Sequence, residues 1–135
     1  MSKMTIDYQA PLSTHITHTQ SNAKIQTDAP VDNGGNGESF SPTDLLASAL
    51  GSCVLTIMAL KAQSLNLDLA DVHIGVEKIM TDKPRRVAEI IVNIHFSQSY
   101  DDKTRTSLEK AAKSCPIAHS LHPELKQTLQ FHYPA

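Results

Sequence analysis

The sequence has 135 residues, with 12 basic and 14 acidic side chains and a formal net charge of −2 at pH 7. This balance, the absence of Trp and the small number of aromatic residues argue against binding to nucleic acid or to an anionic membrane. The length predicts a single domain over residues 1–135 that buries a core without needing a disulfide.

Two features predict a soluble, cytoplasmic chain without membrane insertion. The N-terminus lacks the apolar core of a signal peptide. The uncharged run Leu45–Leu60 has 16 residues, fewer than the roughly 20 that cross a bilayer. In a reducing compartment, Cys53 and Cys115 are expected to be free, catalytic or redox-sensing rather than a structural bridge.

The first 40 residues predict three strands followed by a loop. The strands are expected at Met4–Gln9, Thr14–Gln20 and Lys24–Thr27, where β-branched residues favour a sheet. Polar residues dominate both faces, which indicates edge strands or strands completed by another subunit. The loop Ala29–Phe40 is rich in Gly, and it lacks the spacing of a phosphate-binding loop.

A long helix is predicted from Ser41 to Leu65. Ser41 suits the N-cap and Pro42 the first helical position, and Asp44 follows the cap by three residues as in a capping box. The predicted core stripe contains Leu46, Leu50, Cys53, Ile57 and Leu60. Because apolar residues also cover most of the remaining surface, the helix is expected to be buried on all sides.

The second half of the chain predicts a hairpin, two helices and a last strand. The expected elements are strands at Val72–Met80 and Val87–Phe96, a helix from Asp101 or Asp102 to Ser114, a short helix at Ile117–Leu121 capped by Cys115, and a strand at Lys126–Tyr133. This order predicts an α+β fold with helices packed against a largely antiparallel sheet.

The two cysteines permit dithiol chemistry, in which a thiolate reduces a peroxide and a second thiol forms a disulfide. Cys53 lies in the middle of an apolar helix, where burial raises a thiol pKa, so it needs a nearby cation to become a nucleophile. Cys115 stands at a helix start, and local electrostatics alone therefore favour Cys115 as the attacking thiol. The alternative is that both cysteines only fill the core.

The histidines are weaker candidates. His119 and His122 follow Cys115 in the pattern C-x-x-x-H-x-x-H, which matches no standard zinc signature. His73, His95 and His132 fall on the polar phases of strands and are expected to be solvated or to pair across strands. We predict neither a metal nor a cofactor.

Three segments resemble the OsmC/Ohr family. They are GESFSPTDLLASALGSC with the first cysteine, KIMTDKPRRVAEIIVNIHF, and SCPIAHSLHPELKQTLQFHY with the second. The resemblance implies an intertwined homodimer in which two long central helices are wrapped by sheets from both subunits. It also implies reduction of organic hydroperoxides, with Cys53 as the peroxidatic cysteine, Cys115 as the resolving cysteine and an external dithiol as reductant.

The sequence departs from the peroxidases of this family in one respect and is more similar to the OsmC-like branch. Those peroxidases activate the first cysteine with an Arg from the N-terminal strands, whereas here no Arg precedes Arg85. We expect Arg86 to replace it, with Arg85 or Lys24 as alternatives.

An acidic residue is expected to orient this cation. The family has a Glu just inside the central helix, where this chain has Thr43, so Glu38 or Asp44 is expected to take that part. If no cation replaces the missing Arg, the alternatives are a non-catalytic binding or carrier protein with an apolar interface pocket, or a redox sensor.

Overall fold

The computed structural model describes residues 3–135, and the chain divides into two compact units. The first unit ends at Leu46 and the second runs from Ala47 to Ala135, so the boundary falls inside the long helix. The single-domain organisation that the sequence predicts stays a prediction.

The N-terminal unit is an antiparallel sheet of β1 (Met4–Gln9), β2 (Ser13–His18) and β3 (Ala23–Asp28), in that order. The register sets Ile6 beside Ile16 and Ile16 beside Ile25. One face therefore collects apolar side chains, although the sequence pattern indicated polar residues on both faces. Several of these side chains are largely exposed: Met4 61%, Ile6 63%, Tyr8 67% and Ile25 50%.

The loop after β3 is organised around the buried carboxylate of Asp28. Asp28 accepts hydrogen bonds from the Ser13 hydroxyl at 3.0 Å and from the Glu38 backbone N–H at 3.0 Å, so its buried charge is satisfied. Val31–Asn33 forms one 3-10 turn, which Gly34 and Gly35 follow. A Cβ at Gly35 would lie 1.8 Å from the Ala29 carbonyl oxygen, so only glycine fits there.

The long helix, α1 (Pro42–Ser64), begins with the predicted capping box. The Ser41 hydroxyl accepts the Asp44 N–H at 3.1 Å, and the Asp44 carboxylate accepts the Ser41 N–H at 2.9 Å. Two N–H groups that a helix start leaves unpaired are thereby satisfied, and the negative charge of Asp44 lies at the positive end of the helix dipole.

The buried stripe of α1 is offset from the predicted one. The helix residues that are buried are Ala47, Leu50, Gly51, Val54, Met58 and Ala62. Leu46 and Leu60 are exposed, while Cys53 and Ile57 are only half-buried at the edge of this stripe. The expectation that α1 is buried on all sides is therefore wrong for the chain by itself.

The C-terminal unit contains a second three-stranded sheet and two further helices. Its elements are β4 (His73–Thr81), β5 (Arg86–His95), α2 (Asp102–Ala112), α3 (Pro116–Ser120) and β6 (Lys126–His132). The strand order is β4-β5-β6, with β4 and β5 antiparallel and β5 and β6 parallel. The parallel pair requires a crossover, which α2 and α3 supply. This mixed architecture agrees with the predicted α+β class.

The core lies on one face of this sheet. On β5, Ile90, Val92 and Ile94 are fully buried, and the intervening residues point to the opposite face. Leu108 and Ala112 of α2 are also fully buried in the same cluster as the α1 stripe. Burial of each large side chain contributes about 1.5–3 kcal/mol to the free energy of unfolding, so this cluster is the main source of stability for the unit.

Gly51 allows α1 to approach β4 closely. A Cβ at Gly51 would lie 2.6 Å from Val76 Cγ2 and 3.5 Å from Ile74 Cγ2. Gly75 lies between these two residues and faces open space, with no atom within 4 Å of a Cβ built there.

We expect Gly51→Val to lower the free energy of unfolding by about 2 kcal/mol, because overpacking forces α1 and β4 apart. Gly75→Val is the matched control and should leave stability unchanged or raise it slightly, since a β-branched residue suits an open strand position. Urea denaturation of both variants measures the difference. Equal midpoints would show that the contact between Gly51 and Val76 does not limit packing.

Candidate active site: a pair of cysteine thiols

The two cysteines meet in the C-terminal unit. Cys53 is a half-buried residue of α1 that packs against the core, and Cys115 is a core residue with 0% exposure. Both are free thiols, and they lie close enough for Cys53 to raise the pKa of Cys115. The fold therefore brings together the two residues that the sequence analysis singled out, one half-buried and the other enclosed.

The position of Cys115 results from the link between α2 and α3. The helix α2 ends at Ala112, and Pro116 starts α3 directly after Cys115. The Cys115 Sγ accepts the backbone N–H of Ala118 at 3.2 Å, so the sulfur itself caps α3 as predicted.

Burial raises the pKa of the Cys115 thiol. The N–H of Ala118 acts in the opposite direction, while the interaction with Cys53 raises the pKa further. The expectation that the helix start lowers the pKa of Cys115 is therefore wrong, because removal of the sulfur from water outweighs the contribution of the Ala118 N–H. Which of the two thiols attacks first stays a prediction.

Tyr133, the residue after β6, helps to hold α2, and with it Cys115, in place. The Tyr133 hydroxyl donates to Glu109 of α2 at 2.8 Å, and the Arg105 guanidinium lies 4.1 Å from the centre of the Tyr133 ring. The same ring stacks on Phe96 with centroids 4.5 Å apart. Burial and the bond to Glu109 raise the pKa of Tyr133, so its hydroxyl remains a donor.

The predicted activating residues lie at the surface. Arg86 is exposed, whereas the next residue, Val87, is buried, and Arg86 Nη1 donates to the Val87 carbonyl at 3.3 Å. The inward orientation expected for Arg86 from the hairpin register is therefore wrong. Glu38 is also exposed, and its backbone N–H binds Asp28. Among the described residues, the groups that shift the pKa of Cys115 include no Arg or Lys.

A cavity of about 340 Å³, which sequence reasoning did not anticipate, lies in the C-terminal unit. Its walls belong to α1, the end of α2, α3 and β6: Val54, Ala112, Lys113, Ala118, Gln127, Thr128 and Leu129. Neither cysteine lines it, although Ala118 on its wall donates its backbone N–H to Cys115 Sγ. Lys113, two residues before Cys115, is the cation on its wall. The only feature of the sequence that could have indicated this cavity is the closeness of Lys113 to Cys115 in the chain.

The histidines occupy two separate places. His119 and His122 are exposed, and His122 Nδ1 accepts the backbone N–H of Glu124 at 3.0 Å in the turn before β6. His73, His95 and His132 stack across the three strands of the C-terminal sheet, which confirms the predicted cross-strand pairing. Partial burial, followed by the charges of His132 and His73, lowers the pKa of His95.

The fold and the site define an α+β protein in which a core helix and a crossover link present two free thiols to each other. The chain belongs to the OsmC-like protein family, whose model matches residues 35–130. A crystal structure from Psychrobacter arcticus 273-4 has 47% sequence identity and a TM-score of 0.94, covering 98% of this chain and 96% of that one. That protein is provisionally described as an osmotic stress induced and detoxification response protein.

More distant structures share the fold. The OsmC-like protein of Mycoplasma pneumoniae is 17% identical with a TM-score of 0.80, covering 100% of this chain and 98% of that one. The organic hydroperoxide resistance protein OhrB of Bacillus subtilis is 15% identical with a TM-score of 0.69, covering 97% of each chain. A comparison with curated proteins found no match.

The length and composition of α1 would allow it to cross a membrane, with a mean hydropathy of 1.8 over its most apolar 18 residues. The same helix supplies the core stripe of the C-terminal unit, and the family model covers it in full. It is therefore the core helix of the fold that this family shares.

We expect iodoacetamide to alkylate Cys53 first in the folded protein, because Cys115 is enclosed and keeps its proton. Raising the pH should increase the alkylation rate of Cys115, since its raised pKa delays formation of the thiolate. Mass spectrometry of peptides from briefly labelled protein identifies the modified residue. The variant Cys53→Ser should remain almost unlabelled until it is unfolded, and faster labelling of Cys115 than of Cys53 would contradict the assignment.

Proposed function

We propose that the protein is a thiol-dependent peroxidase that reduces organic hydroperoxides in the cytoplasm. The observation that carries the proposal is the contact between two free thiols, one half-buried and one enclosed. Membership of the OsmC-like family supports it, since structures of the same fold include proteins named for organic hydroperoxide resistance.

The chemistry needs two steps at the cysteines. The thiolate of Cys53 attacks the terminal oxygen of the hydroperoxide ROOH, which breaks the O–O bond, releases ROH after protonation and leaves a sulfenic acid. The sulfur of Cys115 then attacks the Cys53 sulfur, forms a disulfide and releases water. An external dithiol donates two electrons and two protons to restore both thiols.

The division of roles follows from exposure and protonation. Cys53 is half-buried, so a peroxide can reach its sulfur, whereas Cys115 has no exposed surface. Cys115 is enclosed and close enough to Cys53 for the two groups to interact, which supports its assignment as the resolving thiol. The identity of the cation that stabilises the Cys53 thiolate is also a proposal. Our first candidate is Arg86, oriented by Glu38. Because Arg86 is exposed on its own chain, we infer that a second copy of the chain supplies it.

We expect an intertwined homodimer. The apolar face of β1, β2 and β3 and the side of α1 with Leu46 and Leu60 are exposed in the single chain. Monomeric proteins seldom expose apolar surface of this extent, and a second copy would cover both regions. The apolar interface would then also give a hydroperoxide with an alkyl chain a binding surface near Cys53.

The peroxidase activity is tested by following the consumption of an organic hydroperoxide in the presence of a dithiol reductant. We expect Cys53→Ser to abolish turnover. In the absence of the dithiol, Cys115→Ser should consume one equivalent and then stop, with the sulfenic acid trapped by a dimedone-type probe. Ser52→Ala, at the exposed position next to Cys53, is the control and should retain the full rate. Equal turnover by wild type and Cys53→Ser would disprove the mechanism.

The dimer is tested by placing a charge on each face of β1. We expect Ile6→Glu to shift the sedimentation coefficient toward that of a monomer, because it puts a carboxylate on the apolar face. Thr5→Glu adds the same charge on the opposite face of the same strand and should sediment like wild type. A wild-type monomer at all concentrations, or an unchanged Ile6→Glu dimer, would refute the arrangement.

A binding or carrier protein without turnover is the second candidate, and a slow redox sensor is the third. The exposure of Arg86, the first candidate for the activating cation, favours these candidates. A carrier should purify with a lipid-like ligand and give no trapped sulfenic acid at Cys53 after treatment with peroxide. A sensor should form the disulfide between Cys53 and Cys115 without sustained turnover.

A further inference from the structure

Three imidazole rings form a file across the C-terminal sheet, which we call the histidine file: His73 on β4, His95 on β5 and His132 on β6. The register sets His95 directly beside both neighbours. The ring centroids are 4.9 Å apart for His73 and His95, and 4.6 Å apart for His95 and His132. The interplanar angles of 13° and 12° show that all three rings are nearly parallel.

The histidine file lies on the face of the sheet that points away from the core. Ile94, the neighbour of His95 along β5, is fully buried, and side chains alternate between the faces of a strand. His73 and His132 are exposed, and His95 is half-buried between them. The thiols belong to the core on the opposite side of this sheet, so the histidine file is separate from the cysteine pair.

Asn93 selects the tautomer of one ring. The Nε2 of His132 donates to the Asn93 side-chain oxygen at 2.9 Å, which leaves the lone pair on Nδ1. Asn93 precedes His95 by two residues on the same strand, so it shares the outer face with the histidine file. An imidazole whose second nitrogen is held by an oxygen acceptor is the usual arrangement of a histidine that binds a metal.

We propose that the histidine file is a binding site for a late first-row divalent cation such as Zn²⁺, held by the ring nitrogens of His73, His95 and His132. Neutral imidazole is a preferred ligand for such ions, and three protein ligands with a water in the fourth position form a common zinc site. Nothing in the proposal depends on the peroxidase activity.

Binding requires new side-chain rotamers at His73 and His132, because these two rings lie on opposite sides of His95. Tetrahedral bonds of about 2.0–2.1 Å place ligand nitrogens about 3.3 Å apart, which is closer than parallel rings at 4.6–4.9 Å allow. Among residues 3–135, no three acidic, histidine or cysteine side chains already converge in this way. His73 and His132 are exposed, so a change of rotamer about the Cα–Cβ bond that turns each ring toward His95 displaces no core residue.

The test is calorimetric titration of ZnCl₂ into the full-length double variant Cys53→Ser/Cys115→Ser, which removes the thiols as competing ligands. We expect one Zn²⁺ per chain. Adding His95→Asn should abolish binding, and Asn93→Ala should weaken it about tenfold through the loss of the supporting oxygen. Adding His119→Asn/His122→Asn, which removes the other exposed histidines near α3, is the matched control and should leave the affinity unchanged.

A second readout excludes a loss of binding through misfolding. NMR of the imidazole ring protons should show shifts of His73, His95 and His132 on addition of Zn²⁺, with His119 and His122 unaffected. His73→Asn and His132→Asn, both at exposed positions on edge strands, should each weaken binding while keeping the thermal midpoint. The proposal is overturned if Zn²⁺ does not bind, if His95→Asn binds as tightly as its parent, or if only the His119→Asn/His122→Asn variant loses binding.

Discussion

The burial of one face of α1 against the C-terminal sheet is the interaction on which the site depends. Leu50, Val54 and Met58 have no exposed surface, and Gly51 lets the helix approach β4. Since each helical residue is rotated by about 100° from the previous one, the buried stripe also decides which way Cys53 points. It places Cys53 at the edge of the core, half-buried and close to Cys115.

The same packing gives the two thiols different properties. Two effects act on Cys115 in opposite directions, because the N–H of Ala118 favours the thiolate and burial favours the thiol. Burial is the larger effect, so the thiol form of the enclosed sulfur is favoured over the thiolate. A pair with one accessible sulfur and one protonated sulfur suits a sequence in which the first is oxidised and the second closes the disulfide.

The C-terminal sheet serves different purposes on its two faces. Its inner face supplies Ile90, Val92 and Ile94 to the core that supports the thiols. Its outer face aligns three histidines, because the antiparallel pair of β4 and β5 and the parallel pair of β5 and β6 bring them into one row. The period of two along each strand keeps these groups apart, so a change in the histidine file can leave the thiol site intact.

Local patterns in the sequence determined the elements. The capping box of Ser41 and Asp44, the Pro116 that starts α3 and the alternation along β4, β5 and β6 all act between near neighbours, and each predicted element lies within a few residues of its prediction. The segments around Cys53 and Cys115 were also sufficient to indicate the OsmC family, which the family model confirms. The importance of the two cysteines was therefore readable before any contact was known.

Tertiary structure alone decided what these residues do to one another. The side chains of α1 are apolar on almost every side of the helix. The sequence therefore could not determine which stripe is buried or that Leu46 and Leu60 remain exposed. Neither the burial of Cys115 nor the surface position of Arg86 follows from local sequence, because both depend on packing between distant segments. The thiol pair, its adjoining cavity and the row of three histidines are likewise made of residues far apart in the chain, which only the folded sheet and helices bring together.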